Sequence, residues 1–435
     1  MNHGDSIKQD FILTRFKSVL FGNAAIYLGA NILNAAIPFL LLPILTRVLT
    51  PADYGIVAMF GIVLSVLGAF TGLSVHGAIG VRYFQMQKNE LAEYVGTCIG
   101  ILVISTSFIF LLVVFFGSWL SAVTGVPLDW LLVAVVLSGL QFLGNIRLSL
   151  WQVDGQAKKY GAFQVSQSLL NACFSLIFIL IVGMAWQGRI LGQALAIGMS
   201  GVVALWWLLK DGLLIRPVTW NRYGADALKF GVPLIPHVIG ALLIVAVDRF
   251  VIAKLLGIAQ VGIYMVALQI GQAIGLLTES FNKAYSPWLF RKLSNATEEL
   301  HIQIVRGTYL YFFIVLMGAL TLGFIAPMLV RFLVGESFRD AGNFVIFIAL
   351  GFAFGGCYFM VTNYLFYASK TSLLALITLA SGIINIPLMF WLVGVNGLTG
   401  AGQAFMLSQA ISFMVTWWLA NKTHPMPWLQ AIILR

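Results

Sequence analysis

RVLTPADYGIVAM, residues 47–59, returns in altered form as KLLGIAQVGIYMV at residues 254–266. A shift of 207 residues lays Arg47 on Lys254, Leu49 on Leu256, Gly55 on Gly262 and Ile56 on Ile263. Thr50-Pro51 reads as a turn-initiating pair that Tyr54-Gly55 closes. In the second copy Gly257 opens the turn and Gly262-Ile263-Tyr264 closes it. Long apolar runs flank both copies, and the agreement extends outward. Phe21-Gly22 precedes the first turn much as Phe230-Gly231 precedes the second, and Gln156-Ala157-Lys158-Lys159 has a counterpart in Tyr367-Ala368-Ser369-Lys370. A period near half of the 435 residues points to two related halves, an organisation common in transporters.

The apolar runs decide the class. Sixty per cent of the residues are hydrophobic, 9% are charged, and the mean hydropathy is +0.96. Interior volume grows too slowly with chain length for a soluble domain to hide that much apolar side chain. The chain therefore reads as an all-α polytopic membrane protein. Cys98, Cys173 and Cys357 fall inside apolar runs, odd in number and without metal-ligand spacing, so they read as packing residues. The polar start MNHGDSIKQDFILTRFK leads into an apolar run without an A-x-A-like site, and no cleavable signal peptide is expected.

A helix needs about 20 apolar residues to cross about 30 Å of hydrocarbon. That ruler gives about twelve transmembrane helices, near residues 19–45, 56–76, 94–117, 128–150, 161–184 and 190–209, then 230–253, 262–288, 307–330, 343–368, 372–394 and 398–420. The domain reading is a six-helix bundle over 1–210, a cytoplasmic interfacial linker over 211–229, and a second six-helix bundle over 230–435. The net charge of +10 is placed asymmetrically. With both termini cytoplasmic, 19 of the 25 Lys and Arg residues lie inside and 6 outside, the bias that orients membrane proteins. The excess charge thus reports topology, and no nucleic-acid partner is expected. Gly68/Gly72, Gly96/Gly100, Gly271/Gly275 and Gly351/Gly355 are small-xxx-small pairs suited to close helix packing.

Polar residues inside spans must face other helices or water. At 100° per residue, Asn23, Tyr27, Asn31 and Asn34 share one face of the first span. Ser138, Gln141, Asn145 and Gln152 do so in the fourth, and Gln164, Gln167, Ser168, Asn171 and Ser175 in the fifth. The eighth span aligns Gln269, Gln272, Glu279 and Lys283, and the eleventh aligns Thr378, Ser381 and Asn385. Any one stripe is accounted for by interhelical hydrogen bonds. Five stripes in both halves are better accounted for by a shared central polar cavity between two pseudo-symmetric bundles.

Intramembrane charges are fewer, and each costs about 2.5–3.5 kcal/mol at the bilayer centre on the insertion scale. Glu279 and Lys283 stand i,i+4 in the favourable order for a helix ion pair. They read either as that pair or as an anion site with a proton acceptor beside it. Asp248 and Arg249 lie near the outer end of the seventh span. His237 is eleven residues before Asp248 on about the same face, although Pro233 and Pro236 intervene before it. Asp248, Glu279 and His237 are the candidates for proton coupling. Asp248–Arg249 reads equally as an interfacial cap. His76 sits on a small-residue face with Ser65, Gly68 and Gly72, where a packed neutral imidazole is expected. Arg147 lies far round its helix from Gln141 and Asn145, near the cytoplasmic end, placed to snorkel or to line a cavity.

Catalytic signatures are missing. The sequence has no G-x-x-x-x-G-K-[ST], no H-E-x-x-H, no C-x-x-C and no G-x-S-x-G. Asp248 and Glu279 fall near opposite faces in this topology and do not make an acid–base pair. Neither an enzyme nor a cofactor is expected.

LTRVLTPADYGIVAM, LKFGVPLIPH and VDRFVIAKLLGIAQVGIYMVALQIG, with SPWLFRKL and FLVGESFRDAG further on, resemble polysaccharide flippases. These form the Wzx-like branch, for O-antigen and exopolysaccharide, of the multidrug/oligosaccharidyl-lipid/polysaccharide (MOP) superfamily. The resemblance implies a bacterial inner-membrane transporter. It moves polyprenyl-diphosphate-linked oligosaccharide between leaflets by alternating access, for surface polysaccharide biosynthesis such as that of lipopolysaccharide. Partner polymerase and glycosyltransferases go with it. A diphosphate requires cations, for which Lys283, Arg147 and Arg249 are the candidates. Asn23, Asn34, Gln141, Asn145, Gln164, Asn171, Gln269, Gln272 and Asn385 would line the cavity. A multidrug or cation antiporter of the same superfamily is the nearest alternative. A multi-span polysaccharide polymerase is a third, disfavoured by the absence of a long outer loop.

Overall fold

Thr50 starts a helix. Its hydroxyl accepts the Asp53 amide at 3.2 Å, while the Asp53 carboxylate accepts the Thr50 amide at 2.9 Å. That is a reciprocal capping box, with Pro51 at the first helical position where no amide is needed. The computed structural model describes residues 26, 29–293, 297–368 and 370–433, and among them every regular element is helical. The first two helices are α1 (Gly29–Val48) and α2 (Pro51–Phe70). The linking turn is therefore shorter than its sequence suggests, and Tyr54-Gly55 lies inside α2. The second copy behaves alike. Gly257, at a φ of 95° open to glycine, ends α9 (Ile235–Leu256), and α10 (Ile258–Leu293) already contains Gly262-Ile263-Tyr264.

Between these landmarks run α3 (His76–Arg82), α4 (Lys88–Thr124), α5 (Leu128–Val153), α6 (Ala157–Leu176), α7 (Trp186–Lys210) and α8 (Trp220–Gly231). After α10 come α11 (Glu298–Leu333), α12 (Val345–Tyr367), α13 (Thr371–Thr423) and the short α14 (Gln430–Ile433). Among the described residues ten helices are long and apolar enough to cross a membrane. α13 is broken inside by Gly397, whose φ of 59° and ψ of −138° are not helical. Exposed Phe108, Phe115, Phe116 and Trp119 on α4, and Phe313, Phe324 and Phe332 on α11, form apolar surfaces that a bilayer would cover. The molecule is a multi-pass membrane protein.

Two compact units divide the chain, and neither is contiguous. The first holds residues up to Leu41 and Met59–Ile239; the second holds Leu42–Ala58 and Gly240–Arg435. In the first, α5 packs on α4 and α7, and α6 packs on α7. In the second, α12 packs on α10, α11 and α13. Leu42–Ala58 carries the quoted stretch, all but its last residue, into the second unit, where its two copies meet. A Cβ on Gly55 would overlap the Ile258 carbonyl, and a Cβ on Gly262 would overlap the Pro51 carbonyl. The 207-residue shift exchanges these two contacts, so the repeat packs on itself about a local two-fold.

Of the four glycine pairs, Gly271 and Gly275 admit Ile348 and Phe352 of α12. Gly96 and Gly100 serve residues 211–229 instead, receiving the Ile215 carbonyl and the Trp220 ring. Residues 211–219 are tied to α4. The Ile215 amide donates to the Ala92 carbonyl at 3.2 Å, and the Glu93 carboxylate accepts the Val218 and Thr219 amides at 2.7 and 2.5 Å. α8 is docked in turn by Asp226, which pairs with Arg82 at 2.6 Å and accepts the Tyr94 hydroxyl at 2.9 Å. The hydrogen-bonded Arg82 guanidinium holds the Asp226 carboxyl below the usual carboxylate range.

Candidate functional site

Four of the intramembrane charges come in pairs of consecutive turns or residues. Glu279 and Lys283 form an ion pair, Oε1 to Nζ 2.7 Å, one turn apart on α10. Both side chains are about half exposed, 51% and 53%, in a helix otherwise rich in apolar residues. Gln272 is exposed as well, two turns before Glu279. One side of α10 is therefore polar, open and charge-bearing. Gln269, a turn earlier, accepts the Tyr54 hydroxyl at 3.1 Å and has become part of the packing within the second unit.

Asp248 and Arg249 differ from that pair. Both are buried, 5% and 7% exposed, with Nη1 to Oδ1 at 3.3 Å. Arg249 Nε further contacts the Met265 sulfur of α10 at 3.0 Å. The pair neutralises itself inside the second unit, five residues before Lys254 opens the repeated KLLG segment. His237 lies on α9, and its side chain is outside what the structure describes; Asn23 is outside the described residues altogether.

Arg147 is buried, 2% exposed, and does not snorkel. It pairs with Asp211, just past the end of α7, and its guanidinium lies 4.5 Å from the centre of the Trp151 ring. Burial of an arginine needs both an anion and a face to stack on, and these two neighbours supply them. Asp211, 64 positions away, has no sequence signature that would announce the pairing.

The polar stripes divide between packing and open faces. The Ser168 hydroxyl donates to Asn34 at 2.6 Å, bonding α6 to α1. Asn171 accepts from Arg189 at 2.5 Å, bonding α6 to α7, with Ser175 joining at 2.8 Å from the same guanidinium. Gln141 is exposed and Asn145 half-buried on α5. Gln164 and Asn385 each bury a side-chain oxygen without a hydrogen-bond partner. No grouping of three or more His, Cys, Asp or Glu that could hold a metal occurs among the described residues.

Residues 20–293 match the family model described as "Polysaccharide biosynthesis protein". A protein of Shigella flexneri named "Putative O-antigen transporter" is 21% identical over 409 residues, covering 90% of this chain and 96% of its own. Among solved structures, lipid II flippase MurJ in an inward closed conformation superposes with a TM-score of 0.71 at 15% identity, over 97% of this chain and 91% of that one. An inward-facing multidrug resistance MATE family transporter of the MOP superfamily gives 0.66 at 14% identity, over 91% and 94%. At these identities the structural likeness is one of fold.

Proposed function

The chain belongs to the polysaccharide biosynthesis protein family, and from that membership we propose that it is a flippase for polyprenyl-diphosphate-linked oligosaccharide. The cargo moves from the inner to the outer leaflet of a bacterial inner membrane, for surface polysaccharide biosynthesis. Both termini lie in the cytoplasm, on the charge asymmetry of the loops. The family, the O-antigen transporter among its relatives and the fold it shares with a lipid II flippase support this reading.

The observation that carries the mechanism is the open Glu279–Lys283 pair on α10. A sugar headgroup cannot cross hydrocarbon unaided, but a polar helix face lets it pass while the polyprenyl tail stays among lipids. The diphosphate is the cargo's fixed charge and needs a cation. Lys283 already holds a carboxylate at 2.7 Å, so a diphosphate enters by exchange, displacing Glu279. The displaced carboxylate, left beside a polyanion, takes up a proton. Release of the diphosphate on the other side reverses the exchange. Anion binding and proton binding thus accompany one another on one ion pair, and alternation of access by rocking of repeat-related parts would carry the two together. Arg249, already neutralised and buried, stays structural. Partner polymerase and glycosyltransferases supply and consume the cargo.

The test uses purified protein in liposomes loaded with a polyprenyl-diphosphate oligosaccharide, following headgroup exposure with and without a pH gradient. A charge-assisted hydrogen bond contributes about 1.5–3 kcal/mol, so Lys283→Ala should slow exposure by about 10- to 100-fold. Glu279→Gln should abolish the gradient dependence while leaving cargo binding. Headgroup exposure that is unaffected by Lys283→Ala would remove the anion site. The shared fold with a multidrug transporter supports a second reading, export of organic cations; transport of such cations without headgroup movement would favour it.

A further inference from the structure

A cavity of about 620 Å³ opens in the first unit near the start of α4 and the ends of α5 and α7. Its volume falls in the range of about 300–1,000 Å³ occupied by small-molecule sites. Four cations line it, Lys88, Arg147, Lys159 and Lys210, against two carboxylates, Asp154 and Asp211. Both carboxylates are already engaged. Asp211 pairs with Arg147, and Asp154 accepts the Tyr83 hydroxyl at 2.8 Å and the Gln156 amide. Among the described residues none of the three lysines forms an ion pair. Lys159 and Lys210 instead each lie 5.0 Å from the centre of the Trp207 ring. The wall therefore carries an excess of two positive charges that the protein does not neutralise.

The same wall holds buried hydrogen-bond donors without acceptors. Arg147 Nε and Trp151 Nε1 are both inaccessible and unpartnered, on residues only 2% and 3% exposed. A buried donor left unmatched is costly, and two of them beside uncompensated cations call for an anion rich in oxygen. Trp206 and Leu209, on the last turn of α7, are more than half exposed, and tryptophans of this kind mark the headgroup level of a bilayer. Basic pockets between membrane helices at that depth take lipid phosphates.

From this geometry we propose that the cavity is a phosphate-binding site, filled by the headgroup of an anionic phospholipid or by free phosphate. Lys159 and Lys210 contact the phosphate oxygens and supply the counter-charge, and a side-chain shift of Arg147 and Trp151 toward the cavity would let their unmatched Nε and Nε1 donors reach the phosphate. A phosphate here ties α5 to α7 and to the start of α4, so it would act on the stability of the first unit. The site is separate from the ion pair on α10. The test reads binding and melting, never headgroup movement, so its failure leaves the proposed transport standing.

The experiment compares wild type with Lys159→Gln/Lys210→Gln, two exposed positions whose change leaves the core intact, and with Lys422→Gln as a charge control. Lys422 lies over Trp418 at 3.9 Å, well away in sequence and outside this cavity. Native mass spectrometry counts phosphatidylglycerol against phosphatidylcholine retained on the purified protein, and thermal melts follow added phosphatidylglycerol or inorganic phosphate. Preferential retention of phosphatidylglycerol, weakened tenfold or more in the double variant and unchanged in Lys422→Gln, identifies a lipid headgroup. A melting rise with inorganic phosphate alone, lost in the double variant, identifies free phosphate. Equal phosphatidylglycerol retention by wild type and double variant, with no effect of phosphate, overturns the site.

Discussion

Gly55→Ala tests whether the repeat packs on itself. The new Cβ would overlap the carbonyl oxygen of Ile258, a backbone atom that no rotamer change can move aside. α2 and α10 must separate, breaking contacts beyond the added methyl. Overpacking of this kind costs about 1–3 kcal/mol, and a backbone neighbour places the loss toward the upper end, about 2.5 kcal/mol. Gly262→Ala meets the Pro51 carbonyl and should lose about as much. Both clashes cross one contact, so helices parted by the first alanine already accommodate the second. The double variant should fall short of the sum by about 2 kcal/mol, within the coupling range for touching residues. Gly61→Ala is the control, on the same α2 but with nothing within 4 Å of the new Cβ. There alanine's better helix propensity leaves stability unchanged or raised by about 0.5–1 kcal/mol. Thermal melts of purified protein in one detergent rank the four variants. A Gly55→Ala melt matching that of Gly61→Ala, or strict additivity of the double variant, would refute the reciprocal contact.

Other outcomes follow from the segment between α7 and α8. Glu93→Ala removes the acceptor of the Val218 and Thr219 amides and of the Thr219 hydroxyl, so residues 211–219 should loosen. Limited trypsin digestion should cut at Arg216 faster by about tenfold than in wild type, which corresponds to about 1.4 kcal/mol of opening free energy. An unchanged cutting rate would mean that the Ile215–Ala92 bond alone holds the segment. Asp226 has a native carboxyl below its unfolded value of about 3.9, with the Arg82 hydrogen bond as the largest cause. Its contribution is complete above that unfolded value and is lost as pH falls through the lower native one. The wild-type melting temperature should therefore drop more steeply than that of Asp226→Asn on acidification from pH 5 to pH 3. Parallel acid limbs would rule the pair out as the source.

Much of this protein can be read along the chain, because the properties concerned are local. An uninterrupted apolar run long enough to cross hydrocarbon declares a span wherever it occurs. Thr50-Pro51 declares a turn, but that the helix resumes already at Pro51 rather than after Tyr54-Gly55 is fixed by the Thr50–Asp53 capping bonds, which the turn reading passed over. Glu279 and Lys283 pair across a single turn, so their spacing alone predicts the contact at 2.7 Å. Even the glycines at 55 and 262 announce themselves through the repeat, although their reason does not. That reason is the carbonyl each one faces, and only tertiary packing brings residues 51 and 262, or 55 and 258, together. The same distance hides the partners of Arg147. Helical periodicity places its side chain on α5 but carries no information about α7, where Asp211 and Trp207 approach it. It likewise assigns Asn34, Asn171 and Gln269 to polar faces without deciding whether each face meets water or another polar side chain. Local sequence determines which residues must find a polar partner in a membrane, since hydrocarbon offers none. Which partner each one finds is settled by how the helices pack, because that energy depends on neighbours tens to hundreds of residues away.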